Sequence, residues 1–334
     1  MFVLEALGCV VSEEFCIFAP MNARETSGSA DCRRPVLLLT GARGIPGRYV
    51  AGQFEDFRMV TLGAEECCDI CCDLSSQTPM LPFSHIDLVV HCARTDDPSQ
   101  ASEVNSGWTR RLLAGLGSVD VGAFVMVGSA EIYGKESGED IDESSPTWPS
   151  AEIGISWLEA ERQVAAAFKD KSTVVSMLRP VTMFGSGMEG WAASMFEDVI
   201  AGRYIHVRGS DGRLSLVMAL DVARAIRAVW QTGGVYNVSD GRSCTWLELA
   251  EAMSANAGKH HRMPALPAKW ASLLSAPASI FPALRSSLGK DAIRRRSQTL
   301  TFSSEKLRNL TGLSFYPAIE VISRRHSGYP YEET

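Results

Sequence analysis

The sequence predicts an α/β protein built on a doubly wound parallel sheet, with a smaller lobe formed by the C-terminal part of the chain. Two observations carry this prediction. Short apolar segments alternate with segments of helical spacing through the first half of the chain, which is typical of strands that are each followed by a helix. The alternation loosens beyond Phe184, where turns and irregular segments become more frequent.

The strands of the first half are short and almost wholly apolar. The clearest is IDLVVHCA at 86–93, and a continuous apolar strand is the mark of a parallel sheet that is covered on both faces. We expect strands at 36–40, 57–62, 68–74, 86–93, 123–128 and 174–178.

Helices are predicted between these strands, at 101–116 and 152–168. In the first of them, apolar residues recur at helical spacing through Val104, Trp108 and Leu112. Strands and helices in this order indicate a Rossmann-like arrangement. In the second half we expect helices at 191–202, 221–231 and 245–257, and short strands at 204–207 and 235–238.

The 334-residue chain carries a formal net charge of −7. This negative charge predicts no affinity for nucleic acid. A membrane-spanning helix needs about 18 or more consecutive apolar residues, and no such run occurs in the sequence. The nine cysteines are odd in number and lack the regular spacing of a disulfide framework, so we expect a reducing, cytoplasmic environment.

The segment VLLLTGARGIPGRYV at 36–50 is the one around which the function is predicted. Its glycines, Gly41, Gly44 and Gly47, fall between an apolar strand and the start of a helix. Glycines let the backbone turn sharply and come close to a phosphate, while a helix start offers unpaired N–H groups. The segment therefore predicts a dinucleotide site, the alternative being a strand–turn–helix without a ligand.

The run CCDICC at 67–72 raises the question of a metal site. It lies on a predicted strand, where neighbouring side chains point to opposite faces, so its four thiols do not converge easily. We therefore expect no metal site and interpret these cysteines as small apolar or edge residues.

Several segments, in order along the chain, carry a resemblance to a known family. They are TGARGIPG at 40–47, Asp73-Leu74, His91-Cys92-Ala93, VNSGWTRRLL at 104–113, GSAEIYG at 128–134, LRPVTMFGSG at 178–187, LVMALDVARAI at 216–226 and VYNVSDG at 235–241. Together they resemble the extended short-chain dehydrogenase/reductase superfamily. The nearest branch is the NAD-dependent epimerase/dehydratase family, which mostly acts on nucleotide sugars.

The resemblance implies which residues bind a cofactor and which carry the chemistry. Ser129 falls where the family keeps a catalytic hydroxyl, and Glu131 falls where its dehydratases and decarboxylases carry a glutamate; Tyr133 is a third candidate for catalysis. The residues expected to contact NAD or NADP are Gly41, Arg43, Gly44, Ile45, Pro46, Gly47, Asp73, Leu74, Cys92, Ala93 and Ser129.

The preference between NAD and NADP stays open at the level of the sequence. The family usually ends its second strand with an acidic residue that binds the adenosine ribose of NAD. Here that position is Gly63, followed by Ala64, Glu65 and Glu66. Arg43 could reach a 2′-phosphate and so favours NADP, the alternative being an arginine that faces solvent.

The catalytic Tyr-x-x-x-Lys pair of the family is absent. In the family, the lysine lowers the tyrosine pKa and binds the nicotinamide ribose, and the tyrosine transfers the proton. In SAEIGISWLEAERQ the two positions are Ile153 and Trp157, and Tyr-x-x-x-Lys occurs nowhere in the chain. Isoleucine transfers no proton, and tryptophan offers one N–H and no charge.

Three interpretations of the function follow. The protein is an enzyme of the family with altered chemistry, a dinucleotide-binding protein without catalysis, or a protein whose cofactor site is vestigial. The glycine loop and Asp73 argue against the third. We therefore expect an NAD(P)-binding epimerase/dehydratase/reductase-like protein that acts on a nucleotide-sugar or a similar small polar substrate. The alternative is a non-catalytic pseudoenzyme that serves as a sensor or partner subunit.

The predicted domain organisation has three parts. Residues 1–34 form a poorly ordered extension, and residues 35–180 form the NAD(P)-binding domain, to which segments near 215–240 return. Residues 181–334 form mainly the substrate-binding lobe. Within that lobe, the basic run at 294–296 lies where family members hold a substrate diphosphate, a solvated basic face being the alternative. We also expect a homodimer.

Overall fold

The computed structural model of the protein describes residues 34–188, 190–258, 263–271 and 288–324. The extension predicted for residues 1–34 therefore lies outside the described residues, except for Arg34. The strands are β1 (Val36–Thr40), β2 (Arg58–Gly63), β3 (Ile70–Cys71), β4 (His85–His91), β5 (Asp120–Val127), β6 (Gly138–Ile141), β7 (Val174–Pro180), β8 (Thr182–Phe184), β9 (His206–Arg208), β10 (Arg213–Met218), β11 (Gly234–Val238), β12 (Ser243–Thr245), β13 (Ala265–Pro267) and β14 (Leu300–Phe302). The helices are α1 (Gly47–Val50), α2 (Trp108–Gly115), α3 (Glu152–Phe168), α4 (Gly190–Ile200), α5 (Ala219–Val229), α6 (Trp246–Asn256), α7 (Lys290–Ser297), α8 (Glu305–Thr311) and α9 (Ala318–Ser323).

A large parallel sheet forms the centre of the fold, with the strand order β3-β2-β1-β4-β5-β7-β11. Thr40, at the end of β1, pairs with Leu62 of β2 on one side and with His91 of β4 on the other. Parallel strands end at the same edge of a sheet, so the glycine loop lies beside the ends of β2 and β4. A doubly wound sheet binds its ligands at this edge, so the topology determines where a site is to be sought. The predicted fold class is confirmed.

Alternate residues of β1 pack on opposite faces of the sheet. Leu37 and Leu39 belong to the apolar cluster that contains Ile226 of α5, and Leu38 belongs to the cluster that contains Leu112 of α2. All three strand leucines are 0–1% exposed. Successive side chains of a strand point to opposite faces, and a sheet covered on both sides needs apolar residues in both sets. This requirement explains the continuous apolar strands of the sequence.

A smaller lobe is built mostly by the C-terminal part of the chain. Its sheet has the order β12-β10-β14-β6, with β8 pairing with β10, and β9 pairs with β13 elsewhere in the lobe. Its core includes Phe196 of α4, Leu249 of α6 and Ile322 of α9. Of the segments expected to return to the large sheet, β11 joins it beside β7, whereas β10 lies in the sheet of the smaller lobe.

The helices differ from the sequence predictions at two places that matter for the site. The helix predicted at 101–116 opens with a π-helical turn at Ser102–Gly107 before α2 begins. The helix after the glycine loop is short, because α1 covers only Gly47–Val50 and is followed by a 3-10 turn at Ala51–Gln53. Among the described residues, no helix has the length and apolar character needed to cross a membrane.

Candidate functional site

The glycine loop folds onto itself and rests on the end of β4. Gly41 adopts a left-handed φ of +69°, and a Cβ there would lie 2.5 Å from the backbone nitrogen of Ala93. A Cβ on Gly47 would lie 2.0 Å from the carbonyl oxygen of Gly41. The Gly44 N–H donates a hydrogen bond to the same oxygen at 3.1 Å. The first and third glycines are thus required by close backbone contact, which leaves the second at the open side of the loop.

Two of the predicted loop residues contribute packing. Ile45 is 8% exposed and belongs to the core, and Pro46 is also buried. Proline has no N–H, so this loop has one backbone donor fewer to offer a phosphate. The side chain of Arg43 is exposed, and its carbonyl oxygen accepts hydrogen bonds from the Arg48 guanidinium at 3.2 and 2.5 Å.

The loop is also tied to the turn that follows β8. Arg48 Nη1 donates to the Ser186 hydroxyl at 2.7 Å, and the Ser186 N–H donates to the Tyr49 hydroxyl at 2.9 Å. A Cβ on Gly187 would lie 2.9 Å from the Arg48 guanidinium. The first helix therefore joins the two sides of the cleft across its floor.

The end of β2 carries a carboxylate although its last residue is a glycine. Glu65 Oε2 lies 2.7 Å from the position that a Cβ on Gly63 would take. The Cys68 thiol donates to the same carboxylate oxygen at 3.6 Å. Burial, followed by the negative charge of Glu65, raises the pKa of Cys68 to about 11, so this thiol stays protonated at neutral pH. The sequence did not assign a role to Glu65, because its place at the strand end depends on the turn.

Asp73 and Leu74 follow β3 and face the same edge of the sheet. Asp73 Oδ1 accepts a hydrogen bond from the Ser75 N–H at 2.8 Å, and the hydrogen bonds from Ser75 lower the pKa of the carboxyl. Leu74 is 4% exposed, and its carbonyl oxygen accepts from Arg111 Nη1 at 2.8 Å. Asp73 therefore stays ionised, and its carboxylate stabilises the turn at Asp73–Ser75.

His91, Cys92 and Ala93 end β4 beneath the cleft. The Thr109 hydroxyl donates to the Asn105 carbonyl at 2.6 Å, so it accepts from His91 Nε2–H at 2.9 Å. The other ring nitrogen, Nδ1, then accepts from the Thr40 hydroxyl at 2.6 Å. Burial lowers the pKa of His91 to about 4 and raises that of Cys92 to about 12, so both side chains are neutral.

Asn105 lies in the π-helical turn and joins three parts of the site. Its side chain accepts from the Thr95 N–H at 2.9 Å and donates to the Thr95 carbonyl at 3.2 Å. It also donates to the Ser156 hydroxyl of α3 at 3.1 Å. This fully buried amide therefore fixes the loop after β4 against α3.

Ser129 and Glu131 lie together after β5. The Ser129 hydroxyl accepts from the Glu131 N–H at 3.2 Å and caps the 3-10 helix Ala130–Tyr133. A Cβ on Gly154 would lie 2.5 Å from the Glu131 carbonyl oxygen, so α3 packs directly on this turn. The Glu131 side chain reaches solvent in the cleft, while the protein around it desolvates the carboxylate. That desolvation and the charge of Asp96 raise the pKa of Glu131.

Tyr133 is buried, unlike the exposed Glu131, and its role as a third catalytic candidate stays a prediction. It is 1% exposed, its hydroxyl donates to Asn237 Oδ1 at 2.7 Å, and it accepts from Arg179 Nη1 at 3.0 Å. Arg179 also binds both oxygens of Glu161, at 2.8 and 2.7 Å. The tyrosine faces inward from the 3-10 helix and belongs to a buried polar network.

Ile153 and Trp157 occupy the positions of the absent catalytic pair. Ile153 packs half-buried against the apolar core, and Trp157 is 0% exposed within it. The Trp157 Nε1–H is buried and has no acceptor among the residues that the structure describes. A buried donor without a partner is costly, so an oxygen from water or a ligand would complete it.

Arg94 lies over the ring of Trp157, a contact that sequence reasoning missed because no motif marks it. Its guanidinium carbon is 5.7 Å from the ring centroid. Nη1 donates to the Gly128 carbonyl at 3.4 Å, and Nη2 donates to Asp96 Oδ1 at 2.6 Å. A cation therefore lies between the ends of β4 and β5, next to Ser129.

The three arginines of the basic run at 294–296 lie in different environments. Arg296 is 5% exposed, with its guanidinium 4.7 Å from the Tyr204 ring centroid, and burial lowers its pKa. Arg294 is exposed and pairs with Glu136 at 3.1 Å. The charge of Arg295 reaches Glu131, whose pKa it acts to lower. The run is therefore not a uniformly solvated face.

The four cysteines at 67–72 differ in exposure, since Cys67 and Cys71 are exposed while Cys72 is buried. Within the described part of the chain, no group of three or more His, Cys, Asp or Glu side chains is placed to hold a metal ion.

The residues at the sheet edge fit a dinucleotide. The loop approaches closely enough that side chains are excluded at Gly41 and Gly47, and carboxylates lie at the ends of β2 and β3. Loops of this kind bind pyrophosphate, and carboxylates beside them bind ribose hydroxyls. The neutral Cys92 follows β4, the central strand of the sheet, and the orphaned Trp157 Nε1–H belongs to α3.

Comparison with known proteins gives three results. The model of the NAD dependent epimerase/dehydratase family matches residues 37–239. UDP-glucose 4-epimerase of Vibrio cholerae is 29% identical over 142 residues, which are 39% of this chain and 43% of that protein. The chain thus spans less than half the length of the curated relatives it matches.

Solved structures share the fold. UDP-glucuronic acid 4-epimerase from Bacillus cereus, in complex with NAD, has 14% identity and a TM-score of 0.64, covering 87% of this chain and 94% of that one. RMD from Pseudomonas aeruginosa, complexed with NADPH, has 19% identity and a TM-score of 0.65, covering 86% of this chain and 97% of that one.

Proposed function

Since the chain belongs to the NAD-dependent epimerase/dehydratase family, we propose that it binds NAD(P) at the carboxyl edge of the large sheet. We further propose that it acts there on a nucleotide-sugar or a similar small polar substrate. The observation that carries the proposal is the glycine loop, in which a Cβ at Gly47 would lie 2.0 Å from the Gly41 carbonyl oxygen. Such close backbone packing leaves room for a pyrophosphate over the loop.

The cofactor-binding residues divide into three groups along the sheet edge. Gly41, Gly44 and Gly47 shape the phosphate site, Ile45 provides a backbone N–H, and Arg43 adds an exposed positive charge. Asp73 and Leu74 would meet the adenine, and Cys92 and Ala93 form the wall under the centre of the ligand, with Ser129 beyond them.

The cofactor supported best is NAD. The Glu65 carboxylate lies at the end of β2, where an acidic side chain accepts hydrogen bonds from ribose hydroxyls and repels a 2′-phosphate. Arg43 acts in the opposite direction, but its side chain is exposed, whereas the Glu65 carboxylate lies against Gly63 at the strand end. We therefore propose NAD as the preferred cofactor.

The chemistry proposed for the protein's own residues is proton transfer at Glu131. A bound nicotinamide supplies the hydride chemistry, and Glu131 would hold or release a proton at a substrate hydroxyl. Its raised pKa suits it for that role better than an ordinary carboxylate. The Ser129 hydroxyl caps the turn through its oxygen and can donate its proton to a substrate oxygen.

The second candidate function is dinucleotide binding without catalysis. It is favoured by Ile153 and Trp157, which pack into the apolar core where the family carries its proton-transfer pair. In that case nucleotide binding, rather than turnover, would be the function of the protein.

Two measurements test these proposals. Titration calorimetry with NAD, NADH, NADP and NADPH should give binding with at least one of them, and no binding to any would reject the proposed site. A turnover assay over a panel of nucleotide sugars should then compare the wild type with Glu131→Gln and Ser129→Ala. Glu159→Gln, an exposed change on α3, is the matched control. Loss of turnover in Glu131→Gln and Ser129→Ala, with wild-type turnover in Glu159→Gln, supports catalysis by Glu131 and Ser129. Dinucleotide binding by the wild type without turnover of any substrate supports the second candidate function.

A homodimer is the proposed assembly. Light scattering coupled to size-exclusion chromatography would measure the mass directly, and a monomer over the whole accessible concentration range would reject it.

A further inference from the structure

We propose that Arg94 is the cation of the reaction site and that its guanidinium, carried on the ring of Trp157, binds the ribose hydroxyls of the second nucleotide half of the dinucleotide. The proposal rests on the proposed function, because it needs a dinucleotide at the sheet edge. It concerns a residue that none of the sequence motifs identified.

The direction of the ligand along the sheet follows from the site itself. The pyrophosphate position is the loop after β1, and the carboxylates of Glu65 and Asp73 lie on the side of β2 and β3. A dinucleotide that puts its adenosine on that side must extend its other half over β4 and β5. Arg94 follows β4, and its contact at Gly128 follows β5. The guanidinium thus lies under the second nucleotide half.

Arg94 is held in place without using all of its hydrogen-bonding capacity. A guanidinium has five N–H donors, and the contacts among the described residues occupy two of them, with Gly128 and Asp96. The contact with Gly128 is long, at 3.4 Å, so an oxygen from a ligand competes with it easily. The side chain is 12% exposed, so it is not wholly enclosed by the protein.

The ring of Trp157 supports the Arg94 guanidinium on one face. The ring lies 5.7 Å from the guanidinium carbon, and an indole is the best aromatic partner for a cation. Gly128 is also close to this ring, since a Cβ there would lie 3.7 Å from Trp157 Cε3. The helix position that offers a charge in relatives here offers a platform, and the charge comes from the loop after β4.

The surrounding charges balance the proposed cation. Asp96 pairs with Arg94 directly at 2.6 Å, and the positive charge of Arg94 acts to lower the pKa of Glu131, which burial and the charge of Asp96 raise on balance. Arg295 acts on Glu131 in the same direction. Arg94, which Asp96 holds on one side, is therefore a residue that binds the ligand directly.

The test compares two ligands that differ in the part Arg94 would touch. NAD carries the second ribose, and ADP has the adenosine and the diphosphate but lacks that ribose. We expect Arg94→Ala to weaken NAD binding by about tenfold or more in calorimetry, since charged hydrogen bonds are lost. ADP binding should change by less than about twofold, because its contacts lie on the other side of the loop.

A double variant that moves the positive charge from residue 94 to residue 157 makes the test specific. Trp157→Lys in the Arg94→Ala background would return a cation to the helix, and we expect it to recover most of the lost affinity for NAD. If that double variant fails to fold in thermal denaturation, Arg94→Lys serves instead, with an expected loss smaller than that of Arg94→Ala. Arg110→Ala, on an exposed position of α2, is the matched control and should bind both ligands as the wild type does.

The failures of the two proposals are distinguishable. Wild-type protein that binds neither ADP nor NAD would overturn the proposed function and this inference with it. Normal binding of NAD by Arg94→Ala would overturn the inference alone. An equal loss of NAD and ADP binding in that variant would do the same, because it would indicate a general structural role.

Discussion

The guanidinium of Arg179 and the hydroxyl of Tyr133 meet inside the protein, where Arg179 Nη1 donates to the tyrosine oxygen at 3.0 Å. The same hydroxyl donates to Asn237, and the same guanidinium is bound by both oxygens of Glu161. Tyr133 thus links the 3-10 helix after β5 to β7, α3 and β11. A residue that lies close to the candidate catalytic residues in sequence is, in space, part of the support beneath them.

Tyr133→Phe tests this support. We expect the change to lower the free energy of unfolding by about 1–3 kcal/mol, because it leaves buried partners without a hydrogen bond. The dissociation constant for NAD should stay within about twofold of wild type, since the hydroxyl does not face the cleft. Urea unfolding and calorimetry measure the two quantities. Lost turnover at unchanged stability would instead restore Tyr133 as a catalytic residue.

The glycine loop predicts different outcomes for two neighbouring alanine changes. Gly47→Ala forces a Cβ to within 2.0 Å of the Gly41 carbonyl oxygen, so we expect a loss of about 2–3 kcal/mol of stability together with lost dinucleotide binding. Gly44→Ala meets its nearest atom at 3.7 Å and should change stability by less than about 0.5 kcal/mol. Its methyl group would face the phosphate, so binding alone should weaken. Equal stability of the two variants in thermal denaturation would contradict the loop geometry.

His91 gives the protein a specific sensitivity to acid. Its pKa is about 4 in the folded state and about 6.5 in an unfolded chain. Its contribution to stability is therefore complete above pH 6.5 and is lost as the pH falls toward 4. Between pH 7 and pH 5 the loss from this group should be roughly 2 kcal/mol, at about 1.4 kcal/mol per pKa unit.

The measurement is urea unfolding at pH 7 and pH 5 for the wild type and for His91→Asn. The variant should be less stable at pH 7, because the contact with Thr109 is lost, but its stability should fall less on acidification. His206, whose pKa is also lowered by burial, contributes equally to both proteins and cancels in the comparison. If the free energy of unfolding had the same pH dependence in both proteins, the pKa of His91 would not be lowered in the folded state.

Glu65 predicts the preference for NAD over NADP. Glu65→Gln removes the charge at the end of β2, and we expect about tenfold weaker binding of NAD with a smaller or opposite change for NADP. Glu66→Gln removes an exposed charge at the adjacent position and should affect neither. Competition calorimetry with both cofactors measures the ratio. If the two variants behave alike, the carboxylate at the strand end is not the determinant.

The sequence predicted the large sheet because each of its strands is apolar on both faces, as Leu37, Leu38 and Leu39 are in β1. It predicted the glycine loop because Gly41, Gly44 and Gly47 recur at short spacing between an apolar strand and the start of a helix. Both features are written in local sequence. The strands of the smaller lobe, such as β6 and β14, were missed because they are short and pair across long stretches of chain.

The site was less predictable where its residues come from different elements. Arg94 and Trp157 lie 63 positions apart, and only the fold brings the guanidinium over the ring. Glu65 reaches the end of β2 because the turn after Gly63 bends back on the strand. Conversely, the pattern around Ser129 suggested that Tyr133 shares its surroundings, but the 3-10 helix turns the tyrosine inward.

The pairing of β7 with β11 has a consequence for how the chain is made. Val174–Pro180 leaves the ribosome well before Gly234–Val238, and all of the elements from β8 to α5 are synthesised between them. During that interval β7 is an unprotected strand edge on an otherwise assembled nucleotide-binding half, a state in which nascent chains aggregate or require chaperones. A premature stop anywhere in this interval would leave that edge permanently open.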